Sequence, residues 1–309
     1  MPLIAWALMT VLSIIWGSTF LFNRIVVVEV PPITVVFFRI AIGAAILLAV
    51  AIALRIRIPR DRRAAIDFLV MGLLNNAIPF VLIVWGQKTV GTGLASILNA
   101  TTPIFGVIIA HLFTTDDKAT PNRVAGVLLG IVGVAVMMGV DALAGLGDHI
   151  AGELACLGAC LCYGFAALWS RRFRGRPPIA TAAGQLTASA LILLPAMLLV
   201  DRPWTLPVPS SAAVASILML AVTSTAIAYV IFFRVLTIAG ATNVMLVTLM
   251  IPPSAILMGA LVLGERLALQ HLVGVVLITA GLVAIDGRLA RALRRRLRGT
   301  DAPERARGA

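Results

Sequence analysis

Ten apolar runs, each near the roughly 20 residues that carry a helix across about 30 Å of hydrocarbon, take up almost all of a 309-residue chain. They fall at about 3–22, 33–54, 66–86, 92–113, 123–140, 152–170, 180–200, 212–234, 242–263 and 272–287. The connections between them are too short to hold a soluble catalytic domain. The runs are continuous, whereas barrel strands would alternate over about ten residues between turns, so helices are expected. With 61% hydrophobic and 12% charged residues and a mean hydropathy of +1.05, too little polar surface remains to solvate a water-soluble fold. The expected class is an all-α polytopic membrane protein with ten transmembrane helices. The first run has no basic segment before it and no small-residue cleavage pattern after it, so it reads as the first span and not as a signal peptide.

A net charge of +12 in a soluble protein would point to nucleic acid, but here the basic residues must first be sorted by membrane side. An N-terminus in the cytoplasm places Arg55, Arg57, Arg60, Arg62, Arg63, Lys118, Arg123, Arg171, Arg172, Arg174, Arg176 and Arg234 on that side. The segment 288–309 adds eight more arginines there, from Arg288 to Arg307. The opposite side receives Arg24, Lys88, Arg202 and Arg266. The positive-inside rule therefore puts both termini in the cytoplasm of a cell (inner) membrane protein. The basic tail is explained by topology and lipid headgroups without a nucleic-acid partner. Cys156, Cys160 and Cys162 all lie in the sixth run with no acid or histidine at ligand spacing, so they read as small packing residues, not as a metal or disulfide site. No cofactor is implied.

Laying residues 78–140 on 227–288 exposes a repeat. Ile78–Pro79–Phe80–Val81, Gly91 and Pro103 recur as Ile227–Ala228–Tyr229–Val230, Gly240 and Pro252, 149 residues later. Asp117–Lys118, Gly126 and Gly133 recur as Glu265–Arg266, Gly274 and Gly281, 148 residues later. Five spans per half is an odd number, which forces the halves into opposite orientations, the inverted-repeat design of many secondary transporters. The expected units are 3–140, 152–287 and the tail 288–309. Trp16–Gly17–Ser18–Thr19–Phe20, Arg39, Gly240–Ala241–Thr242, Ile251–Pro252–Pro253, Leu263–Gly264–Glu265–Arg266 and Gly274 resemble the EamA-type transporters of the drug/metabolite transporter superfamily. The resemblance covers about residues 5–286 and is strongest in the second half. It implies ten helices in two modules, a central cavity between them, and export of amino acids or related metabolites. Asp116–Asp117–Lys118 stands where the second half has Gly264–Glu265–Arg266, so the first module is the less typical.

Polar residues within the spans mark inner faces, because lipid offers no hydrogen bonds. Asn75 and Pro79, Asn99 and Pro103, and Thr248 and Pro252 each stand four apart. A helical proline cannot donate to the carbonyl four residues earlier, so three freed carbonyls coincide with three polar side chains. Either neighbouring groups re-satisfy them, or kinks and carbonyls line a substrate pocket near the midplane. On the second reading the substrate-binding set is Asn75, Asn76, Asn99, Thr102 and Thr248, with Tyr229 as an aromatic wall and Gln185 and Arg39 as further members. Each can also serve as a hydrogen bond between helices. Arg39 sits about seven residues past Pro32, where a charge costs roughly 2.5 to 3.5 kcal/mol at a helix centre. It can snorkel or hold helices together, or it can attract a substrate carboxylate or phosphate. The tryptophans mostly suit interface positions. Gly126, Gly130, Gly133, Gly274 and Gly281 permit close backbone approach, within the chain or across a homodimer.

His111, His149 and His271 fall at span ends or in loops, away from the buried serine–histidine pairing that an intramembrane hydrolase needs. Glu29, Asp67 and Glu153 lie at span edges, which disfavours a cation–proton exchanger. The expected function is secondary transport of a small polar metabolite by alternating access. The alternatives are a passive channel, a structural membrane protein and a multidrug exporter. Single cysteines at Gly145 and Gly175 in a cysteine-free background test the topology. A membrane-impermeant thiol reagent should label the first from outside and the second only after permeabilisation. Equal labelling in intact cells would overturn the ten-span reading.

Overall fold

Hydropathy delimits the hydrocarbon-facing part of a helix, whereas the backbone must stay hydrogen-bonded through the headgroup zone as well, so the helices should outrun the apolar limits. Several do, among them Leu3–Val26, Arg62–Gly86, Pro121–Ala144 and Ser211–Ala239. The structure, a computed structural model, describes residues 1–116, 118–144, 149–254 and 269–286, and every regular element in it is helical. The helices are α1 (Leu3–Val26), α2 (Pro32–Ala53), α3 (Arg62–Gly86), α4 (Thr92–Ala100 and Thr102–Phe113) and α5 (Pro121–Ala144). Then come α6 (Ile150–Ser170), α7 (Pro178–Ala196), α8 (Ser211–Ala239), α9 (Ala241–Val244, resuming over 247–254) and α10 (Leu269–Asp286). Seven of them, α1 to α4 and α6 to α8, are long and apolar enough to cross a membrane. Shorter apolar stretches run over Pro121–Val136 and Leu272–Ile285. Asp117, Gly145, Gly264, Glu265, Arg266, the later part of the ninth run and the tail 288–309 lie outside the described residues.

The helix starts follow local chemistry. Pro32, Pro121 and Pro178 occupy first positions, where the missing N–H costs nothing. Asp61 and Ser210 cap α3 and α8 through the N–H groups of Ala64 and Ala213. Asp201, at the end of the π-helical turn Met197–Asp201 that follows α7, accepts from the Thr34 N–H at 2.7 Å and its hydroxyl at 2.8 Å, so one half caps a helix of the other. Glu29 likewise accepts from the Ser210 N–H and hydroxyl, both at 2.7 Å, and these bonds hold its carboxyl below the usual carboxylate range.

Two of the membrane helices contain a π-helical turn in mid-course: Leu73–Ala77 in α3 and Val222–Ile227 in α8. Their starts are 149 residues apart, the offset of the sequence repeat. A π turn leaves carbonyls without their usual partner and widens the helix, and such turns concentrate at functional sites. Asn75 and Asn76 occupy one; Ser224 and Thr225 occupy the other. The carbonyls freed by the prolines do not remain open acceptors in at least two cases. The Tyr229 hydroxyl reaches the Asn75 carbonyl (3.2 Å), and the Thr102 hydroxyl donates to that of Asn99 (2.6 Å).

Packing follows the same pairing. α2 packs on α7, α5 on α10, α1 on α8 and α3 on α6. Between α5 and α10 the backbones touch. A Cβ added to Gly126 would lie 2.7 Å from the Gly281 carbonyl oxygen, and one on Gly133 would lie 2.9 Å from that of Gly274. The repeat maps Gly126 onto Gly274 and Gly133 onto Gly281, so the first contact becomes the second. The glycine faces are therefore filled within one chain. Because backbone atoms cannot move aside as side chains can, Gly126→Leu or Gly133→Val should lower unfolding stability by about 1–3 kcal/mol. Gly91→Ala, where an added methyl meets nothing within 4 Å, should be neutral; thermal unfolding in detergent compares the three.

Candidate functional site

A cavity of about 870 Å³, its mouth included, lies among α1, α2, α3, α4, α6, α8 and α9. Its walls are mostly apolar and aromatic, with Phe20, Phe80, Tyr163 and Phe232 prominent. Arg39, Asn75, Asn99, Thr102, Tyr229 and Thr248, all expected from the sequence, line it. Asn76 and Gln185 do not; they form the layer behind.

That layer is a hydrogen-bonded joint between α3, α7 and α8. Asn76 donates from Nδ2 to the Ser189 hydroxyl at 3.0 Å, and its Oδ1 takes a short hydrogen bond from Tyr229. The Ser189 oxygen also lies 2.7 Å from the Gln185 carbonyl and 3.0 Å from that of Gly72. Asn75 is held loosely, with Nδ2 at 3.4 Å from the Tyr229 hydroxyl and 3.5 Å from Gln185 Oε1. Gln185 Nε2, fully buried, has no partner among the described residues. The joint fixes the Tyr229 ring and leaves the Asn75 amide free to reorient.

Arg39 does not snorkel. Its side chain turns into the protein, 3% exposed, and lies over the Phe80 ring with Cζ 4.0 Å from the centroid. Nε donates to Thr225 Oγ1 at 2.8 Å, and Nη2 approaches the Ser224 carbonyl at 3.4 Å. Trp16 donates to the same carbonyl at 3.2 Å and lines the cavity, so it is an interior residue rather than an interface anchor. Both reach α8 at its π turn, where a widened helix offers a carbonyl and a hydroxyl to side chains from α1 and α2.

The two ends of the cavity differ. At one end Asn23 donates to Gln87 Oε1 (3.0 Å), Gln87 donates to the Phe20 carbonyl (3.2 Å), and Arg24 donates to the Gln87 carbonyl (3.1 Å). Asn23 and Gln87 are buried, and Thr19 Oγ1 and Asn23 Oδ1 have no partner among the described residues. Toward the other end the wall runs to Ser170, Leu236 and Val244, beside the Arg171–Phe173 turn. There Asp67, buried, meets Arg172 at 3.2 Å and Arg176 at 3.1 Å, while Arg171 meets Asp116 at 2.7 Å and holds that carboxyl below its usual range. Asp67 is thus a paired acid, not a free one. Cys156 and Cys160 are buried and all three cysteines are free thiols. Among the described residues no cluster of metal-ligating side chains occurs.

Sequence reasoning missed Trp16, Thr19, Asn23 and Tyr163. Asn23 fell just beyond the apolar run ending near residue 22, although its four-residue spacing from Thr19 places the two on one helix face.

The sequence model described as "EamA-like transporter family" matches residues 3–139 and again residues 150–285. The chain belongs to the EamA-like transporter family. Its relatives include the uncharacterized transporter YoaV of Bacillus subtilis, 26% identical over 87% of this chain and 92% of YoaV. The uncharacterized inner membrane transporter YedA of Escherichia coli is 26% identical over 83% of this chain and 82% of its own. A Streptantibioticus cattleyicolor protein named "Probable terminal-alkyne amino-acid exporter" is 29% identical over 92% and 93%. A protein of known crystal structure shares the fold, with a TM-score of 0.73 at 18% identity over 93% of this chain and 98% of its own. This EamA-family chain is accordingly a membrane transporter and not an enzyme.

The joint behind the cavity makes a stability prediction. Tyr229→Phe removes the single hydroxyl proton that Asn76 Oδ1 and the Asn75 carbonyl share and should cost about 1–3 kcal/mol. Tyr163→Phe removes a hydroxyl with no hydrogen bond among the described residues and should change unfolding little. Equal losses in thermal unfolding would contradict the assignment.

Proposed function

We propose that this chain is a secondary transporter that exports a small polar metabolite, an amino acid or a close relative of one, by alternating access. In this reading the chain crosses the membrane ten times, as two inverted five-helix repeats at 3–140 and 152–287, with both termini and the basic tail 288–309 in the cytoplasm. The observation that carries it is the cavity itself, whose walls draw on both repeats and whose lining residue Asn23 is hydrogen-bonded to the buried amide of Gln87. Apolar walls with a few oriented polar groups suit a small ligand held by two or three hydrogen bonds. The name of the Streptantibioticus relative favours an amino acid. A proton-coupled multidrug exporter is less well supported, since no acidic side chain lines the cavity among the described residues.

Asn99 is the sharpest probe. It lines the cavity and its side-chain amide makes no hydrogen bond among the described residues, so replacing it leaves nothing behind it unpaired. Purified protein in liposomes preloaded with amino acids should show saturable counterflow of at least one of them, and Asn99→Leu should abolish it while remaining monodisperse. Flux that grows linearly with concentration, or an unaltered Asn99→Leu, would overturn the proposal.

A further inference from the structure

We propose that Arg39 is an anion subsite, and that the transported molecule is a monocarboxylate with an apolar body whose carboxylate seats on the free edge of this guanidinium. The proposal rests on the transport reading above and narrows its substrate class.

The argument is an inventory of partners. A guanidinium has five N–H donors, and desolvating it is costly unless an anion or several good acceptors replace its water. Arg39 has one good neutral acceptor, Thr225 Oγ1, and one long contact to a carbonyl that Trp16 already uses. Nη1 has no acceptor, and no carboxylate bonds Arg39, among the described residues. The contrast with the membrane edge is direct, because Asp67 and Asp116 have each drawn arginines to themselves. Arg39 is a buried cation on the wall of a cavity, and the cavity is where its anion can arrive.

Geometry restricts what that anion is. Phe80 covers one face of the guanidinium, so a ligand approaches in its plane, along the Nη edge, where two parallel N–H groups match the two oxygens of a carboxylate. Arg39 is the only cationic side chain among the described residues lining the cavity. It neutralises one negative charge, whereas a phosphate near its second ionisation would bring a further charge into apolar walls with nothing to meet it. An amino group finds only neutral oxygens on the described walls, those of Asn99, Thr102 and Thr248 among them, so the carboxylate should decide recognition and the amine should add less.

The test uses matched probes: L-leucine, L-leucinamide and 4-methylpentanoate, and L-phenylalanine, L-phenylalaninamide and 3-phenylpropionate, with inorganic phosphate as a separate arm. Each is measured for thermal stabilisation of the purified full-length protein and for inhibition of counterflow. In at least one set the carboxylates should act roughly tenfold or more strongly than the amide, the size expected when a charge-assisted hydrogen-bonded pair is lost. Phosphate should have no effect. Arg39→Gln should level acid and amide, and Arg39→Lys should keep a reduced preference, since it retains charge but not the fork. If Arg39→Gln does not fold, the acid-to-amide ratios of the parent and Arg39→Lys decide. Equal action of acid and amide in every set, a preference that survives Arg39→Gln, or action by phosphate alone overturns the subsite. Saturable transport that ignores the carboxylate would sink the subsite and leave the transport reading standing, whereas no saturable flux of anything would sink that reading itself.

Discussion

A polar group inside a bilayer has no water to fall back on, so every amide, hydroxyl and carbonyl at that depth must be answered by the protein or by what enters it. The arrangement around the cavity follows from this requirement. Pro79 removes a backbone donor from α3 just after the π turn, and the Tyr229 hydroxyl from the other half of the chain comes to the Asn75 carbonyl. The π turn of α8 exposes Ser224 and Thr225, and side chains from α1 and α2 come to meet them. Helices from both halves are joined where each is locally irregular. Some groups that find no partner among the described residues, such as the Asn99 amide and Nη1 of Arg39, lie on the cavity wall.

Much of this was legible in the sequence for the same reason. Runs of about 20 apolar residues read as membrane helices, and polar side chains placed inside them face inward, which is why Asn75, Asn99, Thr102 and Thr248 were expected on an inner face. Depth within the inner layer was not legible. Asn76 follows Asn75 and Gln185 is as polar as either, but which faces the cavity and which the helix behind depends on the extra residue of a π turn, which rotates the face by an amount no 3.6-residue period predicts. Trp16 was misread because indole suits both an interface and an interior. Only the Ser224 carbonyl, 208 residues away in the chain, decides between them. Arg39 could snorkel or turn inward on sequence grounds, and what turns it inward is the hydroxyl of Thr225.

The two halves are similar in plan and unlike in chemistry. Asn75 and Asn76 correspond to Ser224 and Thr225, and Phe80 corresponds to Tyr229. In each half a helix of the opposite repeat reaches the π turn: α2 through Arg39, α7 through Ser189 and Gln185. One turn therefore receives a cation and the other receives neutral groups. A cavity built by a two-fold operation would be indifferent to the direction in which a dipolar molecule lies. This one is not, because the charge sits on one side only.

The polar groups near the two ends of the cavity also differ in kind. Near one end the buried amides of Asn23 and Gln87 bond each other, and a bond between neutral dipoles is almost blind to ionic strength. Near Ser170, Asp67 is bound by arginines that are 48% and 23% exposed, within reach of electrolyte whose screening length is about 10 Å at 0.1 M. Ionic strength thus acts directly on the ion pairs of Asp67, near one end of the cavity, and far less on the buried amide pair near the other.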